Sequence, residues 1–163
     1  MEVAIFIGSQ SDYEVVQEAV ELLKEFKVTF TLEVTSAHRS PERTVKLVRT
    51  AEEKGVEVFI AAAGKAAHLA GVVASHTVRP VIGVPVESGG LGGLDALLST
   101  SQMPKGVPVA AMGIGKTGAL NAALLAVQIL SLKQPRLEKR LREYRKIMAS
   151  QVETDSSKIQ KIQ

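Results

Sequence analysis

The chain has 163 residues, 45% of them hydrophobic and 23% charged, enough apolar material for one full core and the length of one ordinary domain. It contains no cysteine, which excludes disulfides, thiolate nucleophiles, cysteine-ligated zinc and iron–sulfur clusters. The net charge of +3 is local: residues 133–146 hold seven Lys/Arg against two Glu, the remainder carries −2, and only 4% of residues are aromatic, so no nucleic-acid surface is expected.

No apolar run approaches the ~20 residues that a membrane-spanning helix needs. The acidic Glu2 precedes a short apolar run from Val3 to Ile7 with no basic region ahead of it, unlike a secretory signal. A cytoplasmic protein without membrane contact is expected.

Val3 to Ile7, closed by Gly8, reads as a strand buried on both faces. After the loop Gly8-Ser9-Gln10-Ser11-Asp12, residues Val15, Ala19, Leu22, Leu23 and Phe26 recur at helical spacing, with Asp12 or Ser11 placed to cap the helix. Phe30 to Thr35 forms a second strand that leaves through Ser36 to Pro41, and Pro41 suits a first helical turn. Val45, Leu47, Val48 and Ala51 mark the next helix, which Gly55 ends.

Val56 to Ala62 is the third strand, leading through Gly64-Lys65 into a small-residue helix around Ala66 to Ser75. A fourth strand at Val81 to Val84 is followed by the Gly-rich stretch Ser88 to Gly93 and a helix from about Leu94 to Ser101. Val107 to Met112 is predicted as the fifth strand and Thr117 to Leu132 as a strongly apolar helix. Strands alternating with helices at this spacing require right-handed crossovers, which gives an α/β fold: a three-layer, doubly wound parallel sheet of flavodoxin-like type.

Residues 1–132 are expected to make up this single α/β domain. An extra C-terminal helix spans 133–152, where Leu137, Leu141, Tyr144 and Met148 form one apolar stripe on a charged helix. Such a stripe needs a partner, and docking on a neighbouring subunit is expected. Residues 153–163 are polar and expected to fray.

In an open parallel sheet, ligands bind beyond the carboxyl ends of the strands, where loops expose helix N-termini that attract anions. Four unusual loops fall there: Gly8 to Asp12, Ser36 to Pro41, Ala63 to Ala67 and Glu87 to Gly93. Glycines allow close approach of backbone N–H groups, and serines add hydroxyls for phosphate or sugar oxygens. Each loop alone is ordinary turn chemistry; their convergence points to a phosphorylated small molecule.

His38-Arg39 is the sharpest pair, because arginine offers a planar fork to phosphate and histidine moves protons near neutrality. A lone loop histidine is also a common solvated surface residue. His68, at a helix start, is read as orienting or capping its loop, and His76 as structural. The three histidines have no metal-ligand spacing, so no metal site is expected.

Gly113 to Gly118 satisfies GxGxxG after a strand, but only helix and tail follow, where a dinucleotide site needs an acidic residue on a strand roughly 20 positions on. Ala110 stands where a P-loop needs its first glycine. No GxSxG elbow is present, so covalent catalysis is unsupported.

Six segments carry a resemblance: GSQSD at 8–12, SAHRSP at 36–41, AAHLAG at 66–71, PVIGVPV at 80–86, QMPKGVPVA at 102–110 and NAALLA at 121–126. With these, residues 3–132 resemble the phosphoribosylaminoimidazole carboxylase family, and most closely its bacterial branch, the N5-carboxyaminoimidazole ribonucleotide mutases. The resemblance implies an isomerase of de novo purine (IMP) biosynthesis. It would convert N5-carboxyaminoimidazole ribonucleotide to 4-carboxy-5-aminoimidazole ribonucleotide without ATP, metal, biotin or any other cofactor.

It further implies His38 as the acid/base and Ser9, Asp12 and Arg39 as substrate-binding residues, with Asp12 on ribose hydroxyls and Ser11 and Ser36 near phosphate. Gly64, Ala66, Ala67 and Leu69 would wall a small pocket for carbon dioxide. Lys65, in the same loop, stands where the family pattern has glycine, and counts with the substrate-binding positions. A homo-oligomer, typically an octamer with sites between subunits, is implied as well. Two readings stand beside the mutase: a direct carbon-dioxide-dependent carboxylase on the same scaffold, and a non-catalytic nucleotide-binding module. Ala66-Ala67 and Gln102-Met103-Pro104 match the mutase branch rather than the direct carboxylases.

Overall fold

The structure is a computed structural model that describes residues 1–160. Five parallel strands form one sheet: β1 (Val3–Ile7), β2 (Phe30–Val34), β3 (Val58–Gly64), β4 (Val81–Val86) and β5 (Ala110–Ala111), in the spatial order β2-β1-β3-β4-β5. The helices are α1 (Tyr13–Glu25), α2 (Pro41–Glu53), α3 (Leu69–Ser75), α4 (Leu94–Ser101), α5 (Gly115–Ser131) and α6 (Pro135–Gln160).

β1, β3 and β4 have near-continuous apolar sequences because both of their faces are covered. On one face Val3, Ile5, Ile7, Ile60 and Val84 meet α1, α5 and the start of α6. On the other, Ala4, Phe6, Phe59 and Ala61 meet α2 and α3, with the Phe6 and Phe59 rings 5.8 Å apart. Gly83 lets α4 close onto this second face: a Cβ there would lie 2.3 Å from Thr100 Cγ2. The result is the expected three-layer, flavodoxin-like α/β fold. After β1 the chain steps outward to β2 and then returns past β1 to β3, so the β1 and β3 exit loops diverge and open a crevice.

Three elements differ from the sequence reading. β5 is two residues long rather than Val107 to Met112, because Pro108 has no N–H to give and Pro85, higher on β4, could not donate to a longer partner. Met112 N–H nevertheless continues the pairing to the Gly83 carbonyl at 2.9 Å. α3 begins at Leu69 rather than Ala66, since Lys65 has a left-handed φ of 56° and residues 65–68 are turned tightly on themselves. Asp12 does not cap α1 with its side chain: its Oδ2 turns back and accepts the Ser9 N–H at 3.0 Å.

The C-terminal helix corrects the sequence reading in two ways. α6 is continuous to Gln160, across the stretch from Glu153 where fraying was expected; residues 161–163 lie outside the described part. Its apolar stripe is also used within the same chain. Leu137 is fully buried and Leu141 nearly so, Tyr144 packs beside Phe26 with ring centroids 5.9 Å apart, and the Arg140 guanidinium lies over the Phe26 ring. Glu2 ties down the helix start, accepting from Thr29, Gln134 and Arg136. Burial raises the pKa of that carboxyl, but the donors and the nearby Arg136 outweigh it and hold the net value below the usual range. Among the described residues of α6, the large apolar side chains left exposed are the distal Ile147, Met148, Val152 and Ile159. No helix among the described residues is long and apolar enough to cross a membrane.

Candidate active site

A cleft of about 500 Å³ opens at the carboxyl ends of β1 and β3, at the crevice set by the strand order. Four loops converge on it, as the sequence led us to expect. The β1 exit contributes Gly8, Ser9, Ser11 and Asp12, the β2 exit Ser36 to Arg39, the β3 exit Ala63 to Ala66 with His68 and Leu69, and the β4 exit Ser88. Of the predicted residues, Ser9, Ser11, Asp12, Ser36, His38, Arg39, Gly64, Lys65, Ala66 and Leu69 line it. Ala67 does not: it is 1% exposed and turned into the interior, where it lies within the tight 65–68 turn.

His68 belongs to the site, although its sequence position at a helix start led us to a structural role. Its Nδ1 lies 2.8 Å from His38 Nε2, with the two rings nearly perpendicular at 76°. One nitrogen must donate and the other accept in such a bond, so both rings cannot be imidazolium at once. Residues 38 and 68 are thirty apart in sequence and sit on the β2 and β3 exit loops, which flank β1, so no local spacing could have paired them. Gly8, Ala37, Ala63 and Ser88 also line the cleft without having been named as site residues, and of the Gly-rich fourth loop Ser88 alone reaches it.

Arg39 is anchored before any ligand arrives, since its guanidinium donates to the Gly8 carbonyl at 2.8 Å. Ser36 Oγ accepts the Arg39 N–H at 3.2 Å, and Ser11 Oγ donates to Ser9 Oγ at 3.1 Å, leaving a hydroxyl-rich floor. Asp12 is the one acidic group in the cleft and is only 8% exposed. Burial raises its pKa above the usual carboxylate range. Hydrogen bonds from Ser9, Ser11 and Gly8, and the charge of Arg39, offset this only in part.

Lys65 has an exposed side chain on a strained backbone. Left-handed φ costs a residue with a Cβ about 1–2 kcal/mol, and Gly64 before it could not bear a side chain, as a Cβ there would sit 2.8 Å from Ser88 Cβ. Arg39 and Lys65 together outweigh Asp12, so the cleft favours an anion. By contrast, the glycines of residues 113–118 only close the turn into α5. A Cβ on Gly118 would lie 1.6 Å from the Gly113 carbonyl oxygen, and none of these glycines lines the cleft.

The family description "AIR carboxylase" matches residues 2–151, a span that includes every loop of this cleft. The chain belongs to the AIR carboxylase family. Among curated relatives, the N5-carboxyaminoimidazole ribonucleotide mutase of Pyrococcus abyssi is 55% identical over 146 residues, covering 90% of this chain and 83% of its own. The Escherichia coli K12 protein of the same name is 48% identical over 150 residues, covering 92% and 89%. Among solved structures, Treponema denticola PurE superposes with a TM-score of 0.84 at 28% identity, covering 96% of both chains. The fold of that structure is thus shared over nearly the whole chain, and the family match reaches into α6.

Proposed function

We propose that this chain is an N5-carboxyaminoimidazole ribonucleotide mutase, an isomerase that moves a carboxylate from the exocyclic nitrogen of an aminoimidazole ribonucleotide to the ring carbon. The observation that carries the reading is the His38–Arg39 loop beside His68 at the β1/β3 crevice, in a chain 55% and 48% identical to proteins of that name. In this reading Arg39, Ser11 and Ser36 take the phosphate and Asp12 the ribose hydroxyls. Lys65 faces a substrate anion.

The chemistry is two half-steps with one proton carrier. The nitrogen–carboxylate bond breaks, carbon dioxide separates, and the electron pair stays on the amino nitrogen, which takes a proton from the His38 imidazolium. The ring carbon, nucleophilic as an enamine carbon, then attacks the carbon dioxide, and the new carbon bears both its hydrogen and the carboxylate. Neutral His38 removes that hydrogen as a proton, which restores the aromatic ring and regenerates the imidazolium. His68 Nδ1 at 2.8 Å holds the His38 ring in place through both steps. Gly64, Ala66 and Leu69 give the cleft a small apolar wall against which carbon dioxide is retained.

The test is to supply the purified protein with each nucleotide separately. Turnover of the N5-carboxylated nucleotide without added bicarbonate is the expected result. Activity only with the decarboxylated nucleotide plus carbon dioxide would make the protein a direct carboxylase, and nucleotide binding with no turnover of either would make it a binding module. We place the protein in the cytoplasm as a homo-octamer, with exposed Ile147, Met148, Val152 and Ile159 of α6 as one contact surface.

Lys65→Gly separates strain from function. Release of the left-handed residue, less the ~0.5–1 kcal/mol entropy cost of glycine, should raise stability by up to about 1 kcal/mol. Loss of the ammonium should raise KM about tenfold, as for a charged hydrogen-bond donor. A variant more stable than the parent with unchanged KM and substrate preference makes Lys65 a neutral loop substitution.

A further inference from the structure

The loop that carries His38 and Arg39 is closed on itself by serines and braced from below by two buried threonines. Ser40 N–H donates to the Ser36 carbonyl at 2.9 Å, Ser36 N–H donates to Ser40 Oγ at 3.1 Å, and Ser40 Oγ donates to the Ser36 carbonyl at 3.2 Å. Beneath this ring, Thr35 at the end of β2 is 2% exposed and Thr44 in the first turn of α2 is fully buried, with their Oγ1 atoms 2.8 Å apart. Thr44 Oγ1 donates to the Ser40 carbonyl at 3.3 Å, and Thr44 N–H donates to the same oxygen at 3.1 Å.

The direction of the pair follows from counting hydrogens. A threonine hydroxyl has one, and Thr44 gives its own to Ser40, so Thr35 is the donor to Thr44. The chain of bonds therefore runs from Thr35 to Thr44 to the Ser40 carbonyl. It is rooted on β1, because Thr35 N–H donates to the Ile7 carbonyl at 2.9 Å. Packing does not require these hydroxyls. Valine has nearly the same shape, and the neighbouring Val48, Ala51 and Ala37 are apolar. A buried hydroxyl is costly unless bonded, so hydroxyls at two facing buried positions point to a directional task.

We propose that Thr35 and Thr44 are positioning residues of the proton-transfer site: their hydroxyl ladder fixes the 36–40 backbone and thereby sets the His38 ring against His68. This rests on the reading of His38 as the acid/base. The ladder acts on His38 more than on Arg39, because the guanidinium has its own anchor on the Gly8 carbonyl at 2.8 Å. The bond to His68 is the His38 side chain's hydrogen bond within the protein. Loosening the loop thus disturbs the chemical step and spares phosphate binding.

The test measures kcat and KM on the N5-carboxylated ribonucleotide for the full chain and its threonine variants. Thr44→Val is expected to lower kcat about tenfold with KM within about twofold of the parent, the scale of a sub-ångström misplacement. Thr35→Val leaves Thr44 able to reach Ser40 but unsupported, and should lower kcat about threefold. Because the ladder is a series, the double variant should be no slower than Thr44→Val alone, a non-additivity that independent packing defects do not give. Thr44→Ser restores the hydroxyl without the methyl and should bring kcat back to within about twofold of the parent.

An unchanged kcat in folded Thr44→Val overturns the proposal, as does a Thr44→Ser as slow as the valine variant, or additive losses in the double. Should Thr44→Val not fold, the decision rests on the other two single variants: slowed Thr35→Val with near-normal Thr44→Ser supports the ladder, and any other pair of results sinks it. An inactive parent protein overturns the functional reading and the ladder together, whereas an active parent with insensitive threonines overturns the ladder alone.

Discussion

Replacement of His38 by Asn is expected to lower turnover of the N5-carboxylated nucleotide by at least ~10³-fold while nucleotide affinity stays within about threefold. Asparagine is polar and uncharged but ends near the His38 Nδ1 position, short of His68, and the loop should survive on its own Ser36–Ser40 bonds. What it cannot do is carry a proton. Both half-steps need the same carrier, first as acid and then as base, so the loss should not be confined to one direction of the reaction. Binding should persist because the anchors for the anion lie on Arg39, held by the Gly8 carbonyl at 2.8 Å, and on the serine hydroxyls. The measurement is single-turnover kinetics alongside calorimetric titration with the ribonucleotide product. Near-normal turnover in the variant would remove His38 from the chemistry and leave His68 as the remaining imidazole in the cleft.

The sequence made the site legible to the extent that chemistry was local. Gly8 to Asp12 and Ser36 to Pro41 announce themselves through glycine, serine and proline at strand ends, and both loops line the cleft. Residues that meet only through the fold were harder to read. His68 sits thirty positions from its partner, and only the adjacency of the β1 and β3 exits, with β2 beyond, brings the two rings together. Ala67, which the resemblance implies as part of the small wall, is buried away from the cleft. The Gly64-Lys65 pair looked like a loop feeding directly into a helix, whereas the left-handed Lys65 tightens the turn and sends Ala67 inward.

α6 illustrates the same limit in packing. Periodicity identified Leu137, Leu141 and Tyr144 as an apolar stripe, which says that something must cover them but not what. The cover is Phe26 and its neighbours in the same chain, helped by Glu2, Gln134 and Arg136. Only the stripe's continuation, with Met148 53% exposed, is left for a partner. β5 failed in the opposite sense: its β-branched residues fit a long strand, but prolines on both sides of the pairing restrict it to two residues.

Asp12→Asn should separate function from stability at a single residue. The carboxylate is buried under the Gly8 to Asp12 loop, and burial, partly offset by its hydrogen bonds and by Arg39, raises its pKa above 3.8. A raised carboxyl means that the native state binds the proton more tightly than the unfolded chain does. Its contribution to stability is therefore fully present below the unfolded value of 3.8 and is lost as pH rises through the folded value. At neutral pH the parent protein carries the whole cost of a buried charge, which asparagine removes while its amide oxygen still accepts the Ser9 N–H. The variant should thus melt at or above the parent temperature at pH 7, with the difference shrinking towards zero as the pH is lowered past 4. Its nucleotide affinity should nonetheless fall about thirtyfold to a hundredfold, since the neutral amide forfeits charge-assisted bonds to the ribose hydroxyls. Melting curves across pH 3.5–7 and titration with the ribonucleotide check the two halves separately. A variant that is less stable than the parent at pH 7 would mean that Asp12 holds the loop rather than the ligand, and unchanged affinity would remove it from the binding site.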